Sequence, residues 1–212
     1  MPLITAIKPQ KRKDFFNVFL DGSFSFSISA LDLISQHLKI GQEIAADQVA
    51  LISDEALASK MFERTLFYLS RRPHSKFEIE TYLKRKFSNR AKESVFKRVI
   101  LKLEDYHLID DEEFTRWLFE GRQRGPRAKG ERFIRSELYN KKIPKEIIDK
   151  VLKEEGSPDW RYIADDLARK KLSHYKNLGF QEKRKKITSF LLRRGFDWEL
   201  VSSIVDETLK DR

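Results

Sequence analysis

Apolar positions keep two different periods along this chain. Up to about residue 30 they come in β-type runs. Leu3-Ile4-Thr5-Ala6-Ile7 is rich in β-branched residues, and Phe15-Phe16-Asn17-Val18-Phe19-Leu20 is aromatic and apolar. Asp21-Gly22 follows, a pair that accepts the positive φ angles of a tight hairpin turn. Phe24, Phe26 and Ile28 then alternate with serines, which places all three on one strand face, expected to be the core face. The pattern predicts a β-hairpin extended to a small three-stranded module. A short helix over 30–37 and Gly41 complete it.

From Ser53 onward the helical period takes over. Ala58, Met61, Phe62, Thr65, Leu66 and Leu69 form one stripe, stopped by Pro73. Ser75-Lys76-Phe77-Glu78 has the spacing of a capping box and opens a helix that buries Ile79, Tyr82 and Leu83. Val95, Phe96, Val99, Ile100 and Leu103 make a third stripe, completing a three-helix unit. The unit recurs. Ile134, Leu138, Ile143, Ile147, Ile148, Val151 and Leu152 reappear 53 residues later as Ile187, Leu191, Phe196, Leu200, Val201, Ile204 and Val205. In the first copy Ile79 and Leu83 align with Ile134 and Leu138, but the following loop is longer. Cap chemistry at Asp110-Asp111 and Ser157-Pro158-Asp159 marks fresh starts. The expected organisation is a β-rich module over 1–52 and three-helix repeats over 53–109, 110–156 and 157–212. The fold class is therefore mainly α, as tandem repeats in an extended array behind the small sheet.

Composition sharpens this picture. Charged residues are 36% of the chain, which suits a high surface-to-volume shape, and 8 Gly and 6 Pro leave little room for long loops. The net charge of +10 is uneven. Residues 56–109 carry 13 basic and 6 acidic side chains, and residues 159–212 carry 13 and 9, whereas residues 1–55 carry 5 and 7. A clustered basic excess favours an anionic partner such as nucleic acid; lysine-rich solvated faces are the plain alternative. With no cysteine, disulfides, thiolate metal sites and cysteine nucleophiles are excluded. Neither a signal-peptide pattern nor an apolar run of membrane-spanning length occurs, so a soluble, cytoplasmic protein is expected.

No catalytic constellation stands out. His37, His74, His107 and His174 pair with nothing at metal-ligand helix spacing, and no phosphate-cradling glycine motif occurs. The acidic pairs Asp110-Asp111, Glu112-Glu113 and Asp165-Asp166 fall at predicted helix starts or in their early turns and read as complements to the helix dipole. Trp117, Trp160 and Trp198 have apolar neighbours and read as core. The expectation is no enzyme and no cofactor. The informative residues are basic. Arg71 and Arg72 precede Pro73; Arg122, Arg124, Arg127, Lys129, Arg132 and Arg135 crowd the junction in the second copy; Lys183, Arg184, Lys185 and Lys186 do so in the third. These related places could build a recurring basic row, suited to a phosphate backbone or an acidic protein groove. For Arg71 and Arg72, compensation of a helix C-terminus explains the charge equally well.

Three segments resemble the RecX family. They are Tyr68-Leu69-Ser70-Arg71-Arg72-Pro73-His74-Ser75-Lys76-Phe77-Glu78-Ile79, Leu108-Ile109-Asp110-Asp111-Glu112-Glu113-Phe114-Thr115-Arg116-Trp117, and Gly130-Glu131-Arg132-Phe133-Ile134-Arg135-Ser136-Glu137-Leu138. The resemblance covers about residues 55 to 210 in order, and the hairpin is similar to extensions carried by some members. Members often carry a glycine turn after the second helix of a unit; here Lys86-Phe87 and Lys141-Lys142 stand there, and only Gly195 keeps the glycine. The resemblance implies a curved helical-repeat protein, acting as a monomer, that lies in the groove of the RecA filament on single-stranded DNA. There it implies limits on filament growth, strand exchange and coprotease activity. A module that binds DNA directly, without recombinase, is the competing expectation.

Overall fold

The computed structural model describes residues 1–11 and 14–210. The chain forms two compact units, Met1–Ile109 and Asp110–Arg212. The first opens with an antiparallel sheet of β1 (Ile4–Pro9), β2 (Phe15–Leu20) and β3 (Ser23–Ser29), in that order. Asp21 and Gly22 both have positive φ, 48° and 81°, as a two-residue turn matched to strand twist requires. Phe26 and Ile28 are buried as the alternation predicts, but Phe24 is 56% exposed. The register explains the difference. Val18 pairs with Phe26 and its neighbour Phe19 with Phe24, so β3 carries an extra residue, a β-bulge. The bulge turns Phe24 to the outer face, where its ring meets Phe19 edge-on at 6.0 Å.

After the short helix α1 (Ala30–Ser35) comes α2 (Ala46–Leu69), 24 residues long. It starts well before Ser53, where the helical stripe becomes visible. Its early turns pack Val49, Ile52 and Ala56 against a core of Ile4, Val18, Phe26 and Ile28 under the sheet. Its later turns pack Met61, Leu57 and Phe62 against α3 (Lys76–Phe87) and α4 (Glu93–Asp105), around Ile79, Leu83, Val99 and Leu103. One helix thus serves two cores. Ser75 caps α3 by accepting from the Glu78 amide at 3.2 Å, as the box predicts.

The second unit contains α5 (Asp111–Gln123), α6 (Glu131–Asn140), α7 (Lys145–Glu155), α8 (Trp160–Leu172), α9 (Phe180–Arg193) and α10 (Trp198–Lys210). Helices α5–α7 close on Phe114, Leu118, Ile134, Leu138 and Ile148. Helices α8–α10 close on Leu167, Ile187, Leu191, Val201 and Ile204. Asp110 caps α5 through two amides, at 2.8 and 2.9 Å. Asp165 and Asp166 lie in the second turn of α8 and pair with Arg169 and Lys170 one turn on. Trp160 packs against both cores, edge-on to Phe119 and to Phe196. Trp198 is not core; it is 58% exposed, and Trp117 is 39% exposed.

The 53-residue offset is visible as backbone. The α6–α7 turn bonds Ile143 N to Leu138 O at 3.2 Å, and the α9–α10 turn bonds Phe196 N to Leu191 O at 3.3 Å. Lys142 has φ 60° where Gly195 has 84°. The α9–α10 turn also docks on the start of α6. Gly130 N donates to Arg194 O at 2.9 Å, and a Cβ on Gly130 would lie 2.4 Å from the Gly195 carbonyl oxygen. Only glycine permits that backbone approach.

Candidate partner-binding surface

The connection from α5 to α6 holds three of the six basic residues singled out in the second repeat, Arg124, Arg127 and Lys129. A 3-10 turn, Gly125–Arg127, follows α5, and Lys129 N returns to Arg122 O at 2.7 Å. The loop is strapped from outside. Arg194, at the end of α9, donates from Nη1 to the carbonyls of Pro126 and Ala128 at 2.9 and 2.8 Å. The result is a depression of about 320 Å³ lined by Arg122, Arg127, Lys129, Phe133, Glu137 and Arg194. Sequence position did not point to Arg194, because its partners lie 66 and 68 residues away.

The basic residues of this region divide into two kinds. Arg122 grips both Glu137 carboxylate oxygens, at 2.8 and 2.6 Å, and that pairing raises its pKa. Arg135 bonds Glu131 at 2.7 Å and Asp149 at 2.6 Å, tying α6 to α7. Their charges are answered within the fold. Arg124, Arg127 and Arg132 are exposed and have no ion pair among the described residues. Lys129 sits over the Phe133 ring at 4.0 Å. Burial, then the neighbouring Arg194, push its pKa down.

Elsewhere the same division holds. Arg72 bonds Glu78 at 2.9 Å and the Pro73 carbonyl at 2.8 Å, while exposed Arg71 lies 5.1 Å over Phe67. Arg184 pairs with Asp206 at 2.8 Å and Lys186 with Glu182 at 3.7 Å. Lys183 and Lys185 have no such partner among the described residues, and Lys185 lines a separate depression with Tyr175 and Arg193. Of the ten singled-out basic residues in the second unit, Arg122, Arg127 and Lys129 line one depression and Lys185 and Lys186 another. Among the described residues no three His, Asp or Glu side chains are grouped to hold a metal ion, and no helix is long and apolar enough to cross a membrane.

A small antiparallel sheet followed by recurring three-helix bundles with basic junctions defines the class: a helical-repeat protein with an N-terminal β module. The chain belongs to the RecX family. The family model for the regulatory protein RecX N-terminal domain matches residues 2–45, and the model for the RecX third three-helix domain matches residues 163–205. The regulatory protein RecX of Bacillus subtilis is 31% identical over 208 residues, covering 98% of this chain and 77% of that protein. That of Lactobacillus johnsonii is 29% identical, covering 98% and 75%. A crystal structure of regulatory protein RecX superposes with a TM-score of 0.66 at 28% identity, covering 97% of this chain and 100% of that one. The crystal structure of RecX from Lactobacillus salivarius gives 0.58 at 26%, covering 71% and 95%. The family match takes in the N-terminal sheet, beyond the segments from residue 55 on that carry the resemblance in sequence.

Proposed function

We propose that this chain is a regulator that binds filaments of the RecA recombinase on single-stranded DNA and restrains their ATPase, strand-exchange and coprotease activities. The observation that carries this reading is the match, over 98% of the chain, to relatives named regulatory protein RecX. The protein acts as a cytoplasmic monomer, without a cofactor and without catalysis of its own. Its partner-facing parts are three repeats, 53–109, 110–156 and 157–212, behind the 1–52 module. Arg71, Arg124, Arg127, Arg132, Lys183 and Lys185, which have no carboxylate partner among the described residues, are the contacts proposed within the basic set.

The test is the rate of single-stranded-DNA-dependent ATP hydrolysis by the cognate RecA, with and without substoichiometric amounts of the chain. A strong fall, with no hydrolysis by the chain alone, is expected. An unchanged rate would refute it. Direct DNA binding is the second reading, favoured by the uncompensated cations of the α5–α6 connection. Under it, binding to bare DNA is tight and weakens steeply with salt through counterion release.

A further inference from the structure

Buried or half-buried cations are normally matched by an anion, because leaving water without a counter-charge is costly. Half-buried Arg116 and Arg135 in the second unit follow this rule, meeting carboxylates at 2.8 and 2.6 Å. The depression beside the start of α6 departs from it. Lys129 and Arg194 are half-buried, yet neither has a carboxylate partner among the described residues. Arg194 gives its two bonds to neutral carbonyls, and Lys129 faces a ring. Arg127 at the rim is unpaired, and the one carboxylate present, Glu137, is gripped on both oxygens by Arg122. Four cations therefore surround about 320 Å³ with a single, already engaged anion. Burial first, and then the neighbouring Arg194 charge, lower the Lys129 pKa.

We propose that this depression is a binding site for phosphate oxygens. Arg127 and Lys129 approach from one chain segment and Arg194 from another, and Arg194 uses only Nη1 in its carbonyl bonds. A phosphate group offers up to about two negative charges and three acceptor oxygens, one for each converging donor. A carboxylate offers one charge and two oxygens. Arg127 and Lys129 belong to the α5–α6 connection and Arg194 to the α9–α10 turn. A bound phosphate would thus tie the α5–α7 bundle to the α8–α10 bundle. The phosphate can come from a free phosphate compound or from the backbone of a nucleic-acid strand, since the recognising chemistry is the same.

The experiment is calorimetric titration of pyrophosphate into the full chain at low salt, without recombinase, so its outcome is separate from the filament reading. It is repeated with Arg127→Gln/Lys129→Gln, which leaves the Arg194 straps in place. The control is Lys145→Gln/Lys176→Gln, which removes the same charge from exposed lysines of the second unit. Circular dichroism checks that both fold. The pocket variant should bind pyrophosphate at least about ten-fold more weakly while the control changes by less than about two-fold. Equal losses in both variants, or no binding by the natural chain, overturn the proposal. An oligothymidylate competitor then identifies the source. Displacement of pyrophosphate places a strand's phosphodiesters in the site, and failure to displace assigns it to a free phosphate compound.

Discussion

Lys142 and Gly195 take the same left-handed position in two matching turns, yet their surroundings differ. An L side chain in this conformation costs about 1 kcal/mol or more, and glycine's extra freedom in the unfolded chain returns part of that. Lys142→Gly should therefore stabilise the protein slightly, by up to about 1 kcal/mol, seen as a higher urea midpoint. Gly195→Lys should destabilise it by more, because a Cβ there would lie 2.4 Å from the Phe133 amide nitrogen. A midpoint lowered by Lys142→Gly would show instead that the lysine side chain holds its turn. Gly195 is legible as a turn residue in the sequence. Lys142 is not, since nothing local marks a lysine for positive φ; only the 53-residue offset does. Arg122 illustrates the other limit. Its charge is plain in the sequence, but its neutralisation by Glu137 depends on folding α6 back along α5.

At the level of elements, legibility follows how many partners an element has. Helices α4, α6 and α7 face one core each, and their apolar stripes are unambiguous. α2 turns one side to the sheet and another to α3 and α4, so no single stripe marks its start at Ala46. The bulge in the hairpin hides in the same way, because alternation alone cannot reveal an inserted residue. The junction of α2 with α3 was legible through Pro73 and Ser75, but not the aromatic stack that crosses it. Tyr82 lies 4.2 Å from Tyr68, and Tyr68 lies 3.7 Å from the buried His74 imidazole. His74 Nδ1 stands 3.0 Å from a Glu78 oxygen, so it carries the proton, and Nε2 is left buried without a partner. Burial lowers the His74 pKa, with Arg72 adding to the fall and Glu78 opposing it. The unfolded chain then binds the proton more readily than the folded one. Stability is full above the unfolded value of 6.5 and falls as pH drops through the lower folded value. Urea midpoints taken from about pH 8 to about pH 5 should fall less in His74→Gln than in the natural chain. Identical slopes would remove His74 from the account.

Over the whole molecule, the count of 43 basic side chains overstates the cations a partner can meet. Arg72, Arg122, Arg135, Arg184 and Lys186 each have a carboxylate within the fold. Removing one of them disturbs packing as well as charge. Arg122→Ala in particular would leave Glu137 beside the loop without its partner, and should lower the melting temperature whatever it does to binding. Exposed Arg124, Arg127 and Arg132 carry no such internal role among the described residues. Replacing these three with Ala should leave helicity and melting temperature unchanged and weaken retention on RecA–DNA filaments by about ten-fold or more. The two variants thus separate fold from recognition: one loses stability, the other loses binding. Filament retention by the triple variant equal to that of the natural chain would show that the α5–α6 connection does not face the partner. The contacts would then fall to the other cations without a carboxylate partner among the described residues, Arg71, Lys183 and Lys185, which the same assay can reach one repeat at a time.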